Sequence, residues 1–361
     1  MIIKSIELNN FRNYENLNIS FEEGINILYG NNAQGKTNLL EAAYFSGTSK
    51  SHKTAKDKEL IKFDKEEAHI KTCVKKGEDD LLIDIHLKKN RPKGIAINKS
   101  PIKKVSDLFG NLNIVFFSPE DLNIIKESPT ERRRFIDQEL CQIDRIYLHN
   151  LTNYNKALAQ RNKLLKDINF HPSLKETLSV WDDQLVNFGK NVISKRSDFI
   201  NELSKIVSRI HNKITGIDTP LVMIYEKNIE PESFSEELIK NHDKDLRFEN
   251  TSVGPHRDDI SFYLDGIDIR KFGSQGQQRT VALCLKLAEI EIVKKTIGDN
   301  PVLLLDDVMS ELDSSRQSFL LENINTTQTI ITCTGIDDFI RSRCNIDKVF
   351  YVTNGIVTEE K

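Results

Sequence analysis

A glycine-bearing segment near the start of the chain carries the strongest chemical signal in the sequence. Residues 30–37 read Gly-Asn-Asn-Ala-Gln-Gly-Lys-Thr and fit the pattern GxxxxGK[ST] without a mismatch. An apolar stretch precedes them and a helical pattern follows, which is the strand–loop–helix context of a phosphate-binding loop. Backbone N–H groups of such a loop wrap the β-phosphate of a nucleotide. The alternative is a strand–turn–helix junction that merely uses glycine.

The loop pattern also gives its polar side chains individual roles. Lys36 would reach the β- and γ-phosphates, and the Thr37 hydroxyl would ligate Mg²⁺. ATP and Mg²⁺ are therefore the expected cofactors. The expected nucleotide-binding residues of this segment are Gly30, Asn31, Asn32, Ala33, Gln34, Gly35, Lys36, Thr37 and Asn38.

Two acids end an apolar run far along the chain. Residues 302–305 read Val-Leu-Leu-Leu and are followed by Asp306 and Asp307. Strands often end in Asp before a turn, so the pair gains its meaning from the phosphate-binding loop. Beside such a loop, Asp306 would hold Mg²⁺ through its water shell, and Asp307 would orient a water toward the γ-phosphate. The expected catalytic residues are Asp307, Asp306 and Lys36.

A third polar segment opens a predicted helix about thirty residues before this acid pair. Residues 272–279 read Phe-Gly-Ser-Gln-Gly-Gln-Gln-Arg. A helix N-terminus binds anions, and Ser274 adds a hydroxyl donor there, with Gly276 and Gln277 beside it. An ordinary helix capped by Ser274 is the alternative. Residues 310–313, Ser-Glu-Leu-Asp, are in isolation only a capping sequence.

The elements that must position these residues alternate between β and α at both ends of the chain. Residues 2–8 and 25–29 predict strands, a helix follows from Thr37, and short strands fill residues 66–115. Residues 278–294 predict a helix, and residues 302–305 and 329–332 predict buried strands. An α/β head would thus be built from residues 1–128 and 250–361, with mixed β-sheets and helices.

Residues 129–249 interrupt this alternation and predict an inserted helical lobe. Two apolar stripes recur at helical spacing on either side of a His-Pro-Ser break at residues 171–173. They predict a helical hairpin, a short coiled-coil-like arm. Plain core packing of two amphipathic helices is the blander interpretation. The stripes comprise Leu148, Leu151, Tyr154, Leu158, Leu165 and Ile168, then Phe188, Val192, Phe199, Leu203, Ile206 and Ile210.

The composition indicates a globular protein of the cytoplasm. Of 361 residues, 38% are hydrophobic and 29% charged, enough for a core. No apolar run approaches the ~18–20 residues of a membrane span, and the start lacks signal-peptide features. The five cysteines are odd in number and form no CxxC pair, which favours reduced thiols. They are Cys73, Cys141, Cys284, Cys333 and Cys344.

Taken in order, these segments resemble the SMC/Rad50/RecF branch of ABC ATPases, and within it the RecF family. Residues 272–279 resemble the ABC signature, and residues 310–313 resemble the D-loop that crosses an ABC dimer interface. The RecF resemblance covers most of the chain, and an arm of a few tens of residues suits it. It is carried by residues 10–14 (Asn-Phe-Arg-Asn-Tyr), 51–54 (Ser-His-Lys-Thr), 57–61, 117–122, 128–135 and 254–259 (Gly-Pro-His-Arg-Asp-Asp).

The resemblance implies a homodimer that closes over two ATP molecules, hydrolyses them slowly under DNA stimulation and holds DNA across the paired heads. In such a dimer Ser274 would receive the γ-phosphate of ATP bound to the opposite subunit, and Arg12 would contact nucleotide phosphates. The family acts in recombinational repair at gapped and single-strand/double-strand DNA. RecR and RecO are its partners in helping RecA to load.

The sequence departs from the ABC pattern at several positions. Asp307 stands where ABC ATPases usually have Glu, which is consistent with slow turnover. Gln275 replaces a signature glycine, and Thr334 is the nearest polar substitute for the absent switch histidine. Glu120 lies roughly where a Q-loop glutamine would be. In the Ser-His-Lys-Thr segment at residues 51–54, where arginine is also usual, Lys53 keeps the positive charge but lacks the forked guanidinium group of arginine.

A basic segment is the expected DNA contact. Because the net charge is −3, attraction to DNA must come from local patches. Residues 84–104 contain seven Lys or Arg against one acid, Asp84. We expect Lys88, Lys89, Arg91 and Lys93 to contact phosphates. A solvated β-hairpin is the alternative, and the arginines at 132–134 could equally form ion pairs.

Three other functional classes are alternatives to a DNA-binding ATPase clamp. An SMC-like structural head would need long coiled coils, and the arm is short. A transporter subunit would need a membrane partner and usually a switch histidine. An ATPase–nuclease of the overcoming-lysogenisation type would carry a nuclease domain, and the chain ends about fifty residues after Asp306.

Overall fold

The computed structural model describes residues 1–54, 56–335 and 345–360. The strands of these residues are β1 (Ile2–Phe11), β2 (Tyr14–Ser20), β3 (Ile25–Tyr29), β4 (Glu67–Lys76), β5 (Asp79–Lys88), β6 (Arg91–Ile97), β7 (Ser100–Pro101), β8 (Ile114–Phe117), β9 (Leu221–Glu226), β10 (Asp259–Leu264), β11 (Ile267–Asp268), β12 (Val302–Asp306), β13 (Thr329–Cys333), β14 (Ile346–Thr353) and β15 (Ile356–Glu360). The α-helices are α1 (Lys36–Thr48), α2 (Leu122–Lys126), α3 (Pro129–Ile143), α4 (Arg145–Ile168), α5 (Leu178–Thr215), α6 (Phe234–Lys240), α7 (His242–Phe248), α8 (Ile269–Phe272), α9 (Gln275–Ile297) and α10 (Ser314–Ile324).

The chain forms two compact units, and the first comprises residues 1–121 and 289–361. Its central sheet has the strand order β15-β14-β3-β13-β12-β8. All neighbours from β14 to β8 run parallel, and β15 pairs antiparallel with β14. Strands β8, β12 and β13 are buried along their whole length, as expected for apolar runs covered on both faces. The predicted strands at residues 302–305 and 329–332 are confirmed.

A second sheet of this unit has the order β2-β1-β4-β5-β6-β7 and is antiparallel throughout. Buried and solvent-facing residues alternate along β4, as in a sheet with one face on the core. Helix α1 packs against strands of both sheets. Because α1 is buried on nearly all sides, its sequence shows little amphipathic contrast.

The second unit comprises residues 122–288 and contains the predicted helical arm. Helices α4 and α5 pack along each other, so the predicted hairpin is confirmed. The second apolar stripe is buried from Val192 to Ile210, whereas Phe188 is half-buried. A 3₁₀ turn at Pro172–Thr177 follows the predicted break. The inserted lobe also has a short sheet, with the order β11-β10-β9.

Buried Arg196 joins the base of the arm to its surroundings. Its guanidinium donates to Asp137 of α3 at 2.8 and 3.1 Å, to the Tyr147 hydroxyl of α4 at 3.0 Å, and to Asp258 at 3.3 Å. Tyr225 of β9 donates its hydroxyl to the same Asp258 carboxylate. The Gly-Pro-His-Arg-Asp-Asp segment at residues 254–259 is thus part of an internal polar cluster, which we call the Arg196 cluster.

Asp259, next to Asp258 of the Arg196 cluster, links this cluster to helix α8. Asp259 accepts hydrogen bonds from Arg132 of α3 at 2.6 Å and from Arg270 of α8 at 2.9 Å. Arg133 donates to the Asp258 carbonyl oxygen at 2.6 Å, and Arg134 lies 3.8 Å from Glu131. The arginines at 132–134 therefore take the ion-pair and hydrogen-bond alternative left open by the sequence.

His256 is held as a neutral side chain in this region. Its Nε2 lies 3.0 Å from the Thr251 carbonyl oxygen, which can only accept, so Nε2 carries the proton. Nδ1 then accepts from the Tyr154 hydroxyl at 2.6 Å. Burial lowers the pKa of His256 to about 4.

The division into units differs from the segments expected from sequence. Residues 250–288 were grouped with the head, whereas their contacts place them with residues 122–249. The reason is a long-range pairing: β10 pairs antiparallel with β9, and α3 packs on β10. Residues 122–128 likewise belong to the second unit, because α2 packs against α3.

Within the residues that the structure describes, no helix combines the length and apolar character needed to cross a membrane. Cys73, Cys141, Cys284 and Cys333 form no disulfide among the described residues. Cys344 lies outside the described residues.

Candidate functional site

The loop between β3 and α1 requires glycine at two positions. Gly30 has a φ of 147°, and a Cβ atom there would lie 2.3 Å from the Val352 carbonyl oxygen of β14. Gly35 has a φ of 119°, and its Cβ would lie 2.6 Å from the side-chain amide of Asn13. Both positions combine a backbone conformation that favours glycine with a close approach of another element. The pattern GxxxxGK[ST] therefore has a steric basis in this chain.

Helix α1 begins with no side-chain cap. Gly35 is its N-cap residue, and no acid occupies its first turn. The first backbone N–H groups are consequently available to an anion, with the positive end of the helix dipole behind them. Lys36 folds over the loop, and its ammonium donates to the carbonyl oxygens of Gly30 at 2.6 Å and Asn31 at 2.8 Å. Burial lowers the pKa of Lys36, while the charges of Asp307 and Asp306 oppose that shift.

The structure brings Thr37 and Asp306 together from opposite parts of the sequence. The Thr37 hydroxyl donates to Asp306 Oδ1 at 2.8 Å. Thr332 of β13 donates to the same oxygen, also at 2.8 Å. Burial raises the pKa of Asp306, although the hydrogen bonds from Thr332 and Thr37 act in the opposite direction.

These oxygen donors fit Mg²⁺, a hard cation. Within residues 1–54, 56–335 and 345–360, no group of three or more His, Cys, Asp and Glu side chains could hold a metal ion by itself. Thr37 and Asp306 together match the usual protein contribution to Mg²⁺, which is one or two oxygen ligands beside substrate phosphates and water.

Asp307 has an unusual backbone conformation. Its φ is 54°, in the left-handed region that Asp tolerates better than most residues. Its N–H group donates to the Thr332 carbonyl oxygen at 3.2 Å and to the Thr332 hydroxyl at 3.0 Å. Thr332 thus contacts both acids of the pair. Ser310 donates its hydroxyl to the Asp307 carbonyl oxygen at 2.8 Å.

Two hairpin turns fix the outer carbonyl groups of the loop, a contact that the sequence analysis missed. The Gln34 carbonyl oxygen accepts from the Asn13 side-chain amide and from the Gly355 N–H, each at 3.0 Å. Tyr14 donates its hydroxyl to the Gly35 carbonyl oxygen at 3.0 Å. Asn354 donates its N–H to the Gln34 side chain at 2.6 Å. We call these contacts the loop anchors.

Asn38 takes part in the same arrangement. Its side-chain amide donates to Asn13 Oδ1 at 2.8 Å, so Asn13 touches both the loop and helix α1. From sequence, residues 10–14 carry the family resemblance and the phosphate contact expected of Arg12, but no contact with the loop is predicted for Asn13 or Tyr14. The Asn354-Gly355 turn could have been found as a hairpin signal, but nothing in the sequence links it to the loop.

Arg12 is engaged with a buried carboxylate. Its Nε and one terminal nitrogen donate to the two Glu41 oxygens, both at 2.7 Å, and its other terminal nitrogen donates to the Glu59 carbonyl oxygen at 2.8 Å. Burial raises the pKa of Glu41, but hydrogen bonds from Arg12 and Ser51 outweigh it and hold that pKa below its ordinary value. Two guanidinium N–H groups remain beyond these three bonds.

The segment around Ser274 forms a capping box at the start of α9. The Ser274 N–H donates to the Gln277 side chain at 2.8 Å, and the Gln277 N–H donates to the Ser274 hydroxyl at 3.2 Å. Ser274, Gly276 and Gln277 are all exposed. Asp313 accepts from the Arg316 N–H at 3.0 Å and caps α10. Ser274 therefore caps α9 and Asp313 caps α10, as the capping interpretation of each segment predicts. Both residues are exposed to solvent.

Three of the four residues expected to contact DNA lie beside acids from outside residues 84–104. Lys88 lies 3.2 Å from Glu67, and Lys89 lies 2.9 Å from Glu66. Lys93 lies 2.9 Å from Asp57 and donates to the Ser49 carbonyl oxygen at 2.6 Å. Arg91 makes no ion pair with the described part of the chain. Glu120, the residue near the Q-loop position, is exposed in a 3₁₀ turn.

Comparisons with known proteins agree over nearly the whole length. The family model described as the RecF/RecN/SMC N terminal domain matches residues 2–358. The DNA replication and repair protein RecF of Agathobacter rectalis is 62% identical over 357 residues, covering 99% of each chain. The protein of the same name from Lachnoclostridium phytofermentans is 54% identical, with the same coverage.

A solved structure described as the recombination mediator protein RecF-ATP in RecFOR pathway superposes with a TM-score of 0.93 at 37% identity. The match covers 99% of this chain and 97% of that chain. The expected α/β head of ABC type, with its inserted helical lobe, is thereby confirmed. On these matches, the chain belongs to the RecF family of ABC-type ATPases.

Proposed function

We propose that this chain binds ATP with Mg²⁺ at the β3–α1 loop. The observation that carries the proposal is the contact between the Thr37 hydroxyl and the Asp306 carboxylate at the uncapped start of α1. The loop amides would receive the β-phosphate, and Lys36 would exchange its carbonyl contacts for phosphate oxygens. Mg²⁺, held by Thr37 and by Asp306 through water, would neutralise charge on the phosphates. The match to an ATP-bound RecF structure supports this assignment.

Hydrolysis would depend on Asp307, beside this site. Its carboxylate would orient and deprotonate the attacking water, while Lys36 would stabilise the charge that develops on the γ-phosphate. The strained φ of 54° favours such a role, because sparsely populated backbone conformations concentrate at functional sites. Arg12 would use its two remaining N–H groups for nucleotide phosphates without leaving Glu41. The activity proposed is a weak, DNA-stimulated ATPase that works as a switch.

The exposed capping box at Ser274 would complete the site in a homodimer that forms on ATP binding. Ser274, Gly276 and Gln277 of one subunit would contact the γ-phosphate held by the other, as anions bind at helix N-termini. Exposure of all three residues supports an intermolecular role. Each dimer would then close over two ATP molecules.

The dimer would act as a DNA-binding clamp in recombinational repair, in the cytoplasm. It would bind gapped DNA and single-strand/double-strand junctions and work with RecR and RecO to help RecA loading. Support comes from the curated relatives named for DNA replication and repair and from the solved RecF structure assigned to the RecFOR pathway. Lys88, Lys89, Arg91 and Lys93 would contact phosphates, the three lysines by exchanging carboxylates for them.

Mixing two inactive variants tests the composite site. Ser274→Arg places a bulky cation at the helix end and should block dimer closure, while ATP still binds to its own loop. Lys36→Ala should lose ATP binding. A heterodimer of the two has one doubly altered site and one intact site. We therefore expect ATP-dependent dimerisation and DNA-stimulated hydrolysis to peak near equal mixing at fixed total protein.

Dimer formation is followed by mass measurement and hydrolysis by the ATPase rate at each mixing ratio. A straight line between the two inactive parents in both readouts would refute the trans role of Ser274. Wild-type protein that neither binds ATP nor dimerises would refute the proposed function itself.

A further inference from the structure

A basic groove lies in the second unit, and none of the residues assigned above lines it. It has a volume of about 700 Å³ and is bordered by the C-terminal half of α5 and the start of β9. The α5 side chains that line it are Ser204, Lys205, Ser208, Arg209, Asn212 and Lys213. The partly exposed Val222 contributes an apolar wall. We call this feature the α5 groove.

The lining residues of α5 form two parallel rows. Lys205, Arg209 and Lys213 recur every four residues, and so do the hydroxyl and amide side chains one position before each of them. Four residues of α-helix advance about 6 Å, the scale on which successive phosphates follow one another along a nucleic-acid strand. Each turn of the helix therefore offers one cation and one neutral polar group to one phosphate.

Two lysines of the groove are more available than Lys88 and Lys89. Lys205 and Lys213 are exposed, and neither forms an ion pair with the residues that the structure describes. Lys88 and Lys89, in contrast, each lie beside a glutamate. A lysine already paired with a carboxylate must give up that partner to bind a phosphate, whereas an unpaired lysine need not.

The neutral row can also donate hydrogen bonds to an anion. The Ser204 hydroxyl accepts from the Met223 N–H at 2.9 Å and keeps its own proton for donation. No acidic or aromatic side chain is among the residues that line the groove. At the edge of the groove, the Asn212 amide donates to Asp218 at 3.1 Å.

We propose that the α5 groove binds the phosphodiester backbone of a nucleic-acid strand. Because no lining side chain is aromatic, bases would not stack there, and binding would be independent of sequence. The proposal rests on the DNA-binding function proposed above and adds a contact surface at the base of the arm. The α5 cations would add electrostatic attraction to that of the β5–β6 residues.

The test measures how DNA affinity depends on salt. The triple variant Lys205→Ala, Arg209→Ala, Lys213→Ala is titrated, in the full chain with ATP present, against a labelled duplex carrying a single-stranded tail. Loss of three phosphate contacts should flatten the slope of log K against log salt by about 2 to 3. Between 0.05 and 0.2 M salt, the affinity ratio of wild type to variant should then change by at least about 15-fold.

The matched control is Lys156→Ala, Lys163→Ala, Lys166→Ala, which removes three exposed lysines from α4. We expect its slope of log K against log salt to stay within about 0.5 of the wild-type slope, which is less than the ~0.7–0.9 that the loss of one phosphate contact would remove. A second variant, Ser208→Glu, keeps all three cations and places a carboxylate in the groove, so it should also weaken DNA binding. ATP affinity should be unchanged in all three proteins.

An unaltered slope in the groove variant would overturn the proposal, and so would an equal flattening in the α4 control. If the groove instead served an acidic protein partner, DNA binding would survive both groove variants, which likewise counts against it. Wild-type protein with no salt-dependent DNA binding would refute the proposed clamp function, a result distinguishable from failure of the groove alone.

Discussion

The loop anchors predict a role for Asn13 in nucleotide binding. Its side-chain amide donates to the Gln34 carbonyl oxygen at 3.0 Å and accepts from the Asn38 amide at 2.8 Å. Carbonyl groups held in this way would keep the loop N–H groups free for the phosphates, so the free protein would need little rearrangement to bind nucleotide. Asn13→Ala removes both hydrogen bonds and should loosen the loop before nucleotide arrives.

The size of the effect follows from the contacts. One neutral hydrogen bond contributes about 1 kcal/mol net, which corresponds to about a fivefold change in affinity. The second bond touches Asn38 on helix α1, so its loss falls partly on stability instead of binding. We therefore expect ATP and ADP affinity to fall by about five- to tenfold in Asn13→Ala. AMP, which lacks a β-phosphate for the loop to wrap, should bind equally to both proteins.

Two further variants separate positioning from general destabilisation. Asn13→Asp keeps the acceptor for Asn38 but turns a carboxylate toward the Gln34 carbonyl, so it should bind ATP at least as weakly as the Ala variant. Asn16→Ala is the matched control, because Asn16 lies in the same hairpin and its side-chain oxygen accepts from the Asn9 amide at 2.7 Å, away from the loop.

Equilibrium titration with a fluorescent nucleotide, together with thermal unfolding in its absence, measures both quantities. Wild-type ATP affinity in Asn13→Ala and Asn13→Asp would show that the anchors do not organise the loop. An equal loss of affinity in Asn16→Ala would point to a general effect on the hairpin.

Two further predictions concern chemistry and pH. Asp307→Asn should bind ATP and dimerise but hydrolyse ATP at least about a hundredfold more slowly than the wild type. Its ATP-dependent dimers should therefore persist longer on DNA, and dissociation at the wild-type rate would refute the role of Asp307. Burial lowers the pKa of His256 to about 4, below the ~6.5 of an unfolded histidine. The unfolded chain therefore binds the extra proton first, and the free energy of unfolding should fall as pH drops from 6.5 toward 4. Denaturant titrations of His256→Asn should show a weaker fall between pH 6.5 and 5, and an identical profile would contradict the buried neutral state.

The sequence predicted those parts of the site whose signal is local. A glycine pattern between a strand and a helix identifies the loop, and an apolar strand ending in acids identifies Asp306, because both patterns lie within a few residues. The loop anchors escaped because Asn354 and Gly355 lie some 320 positions from Gln34, and hydrogen bonds over that distance depend on the sheet order β14-β3.

The same limit explains the differences at the basic segment and the domain boundary. Counting charges between residues 84 and 104 could not reveal Glu66, Glu67 and Asp57, which other elements bring beside the lysines. Nor could composition show that residues 250–288 belong to the second unit, since this follows from the register of β10 on β9.

The Arg196 cluster has a mechanical consequence. One guanidinium joins α3, α4 and α5 to the loop before β10, and Asp259 continues the connection through Arg270 to the short helix that precedes Ser274. Removing one partner of a buried ion pair costs about 3–5 kcal/mol, so we expect these contacts to resist bending at the base of the arm. A displacement of the α4–α5 hairpin would then be passed through Arg196, Asp259 and Arg270 to the start of α9, where the capping box lies.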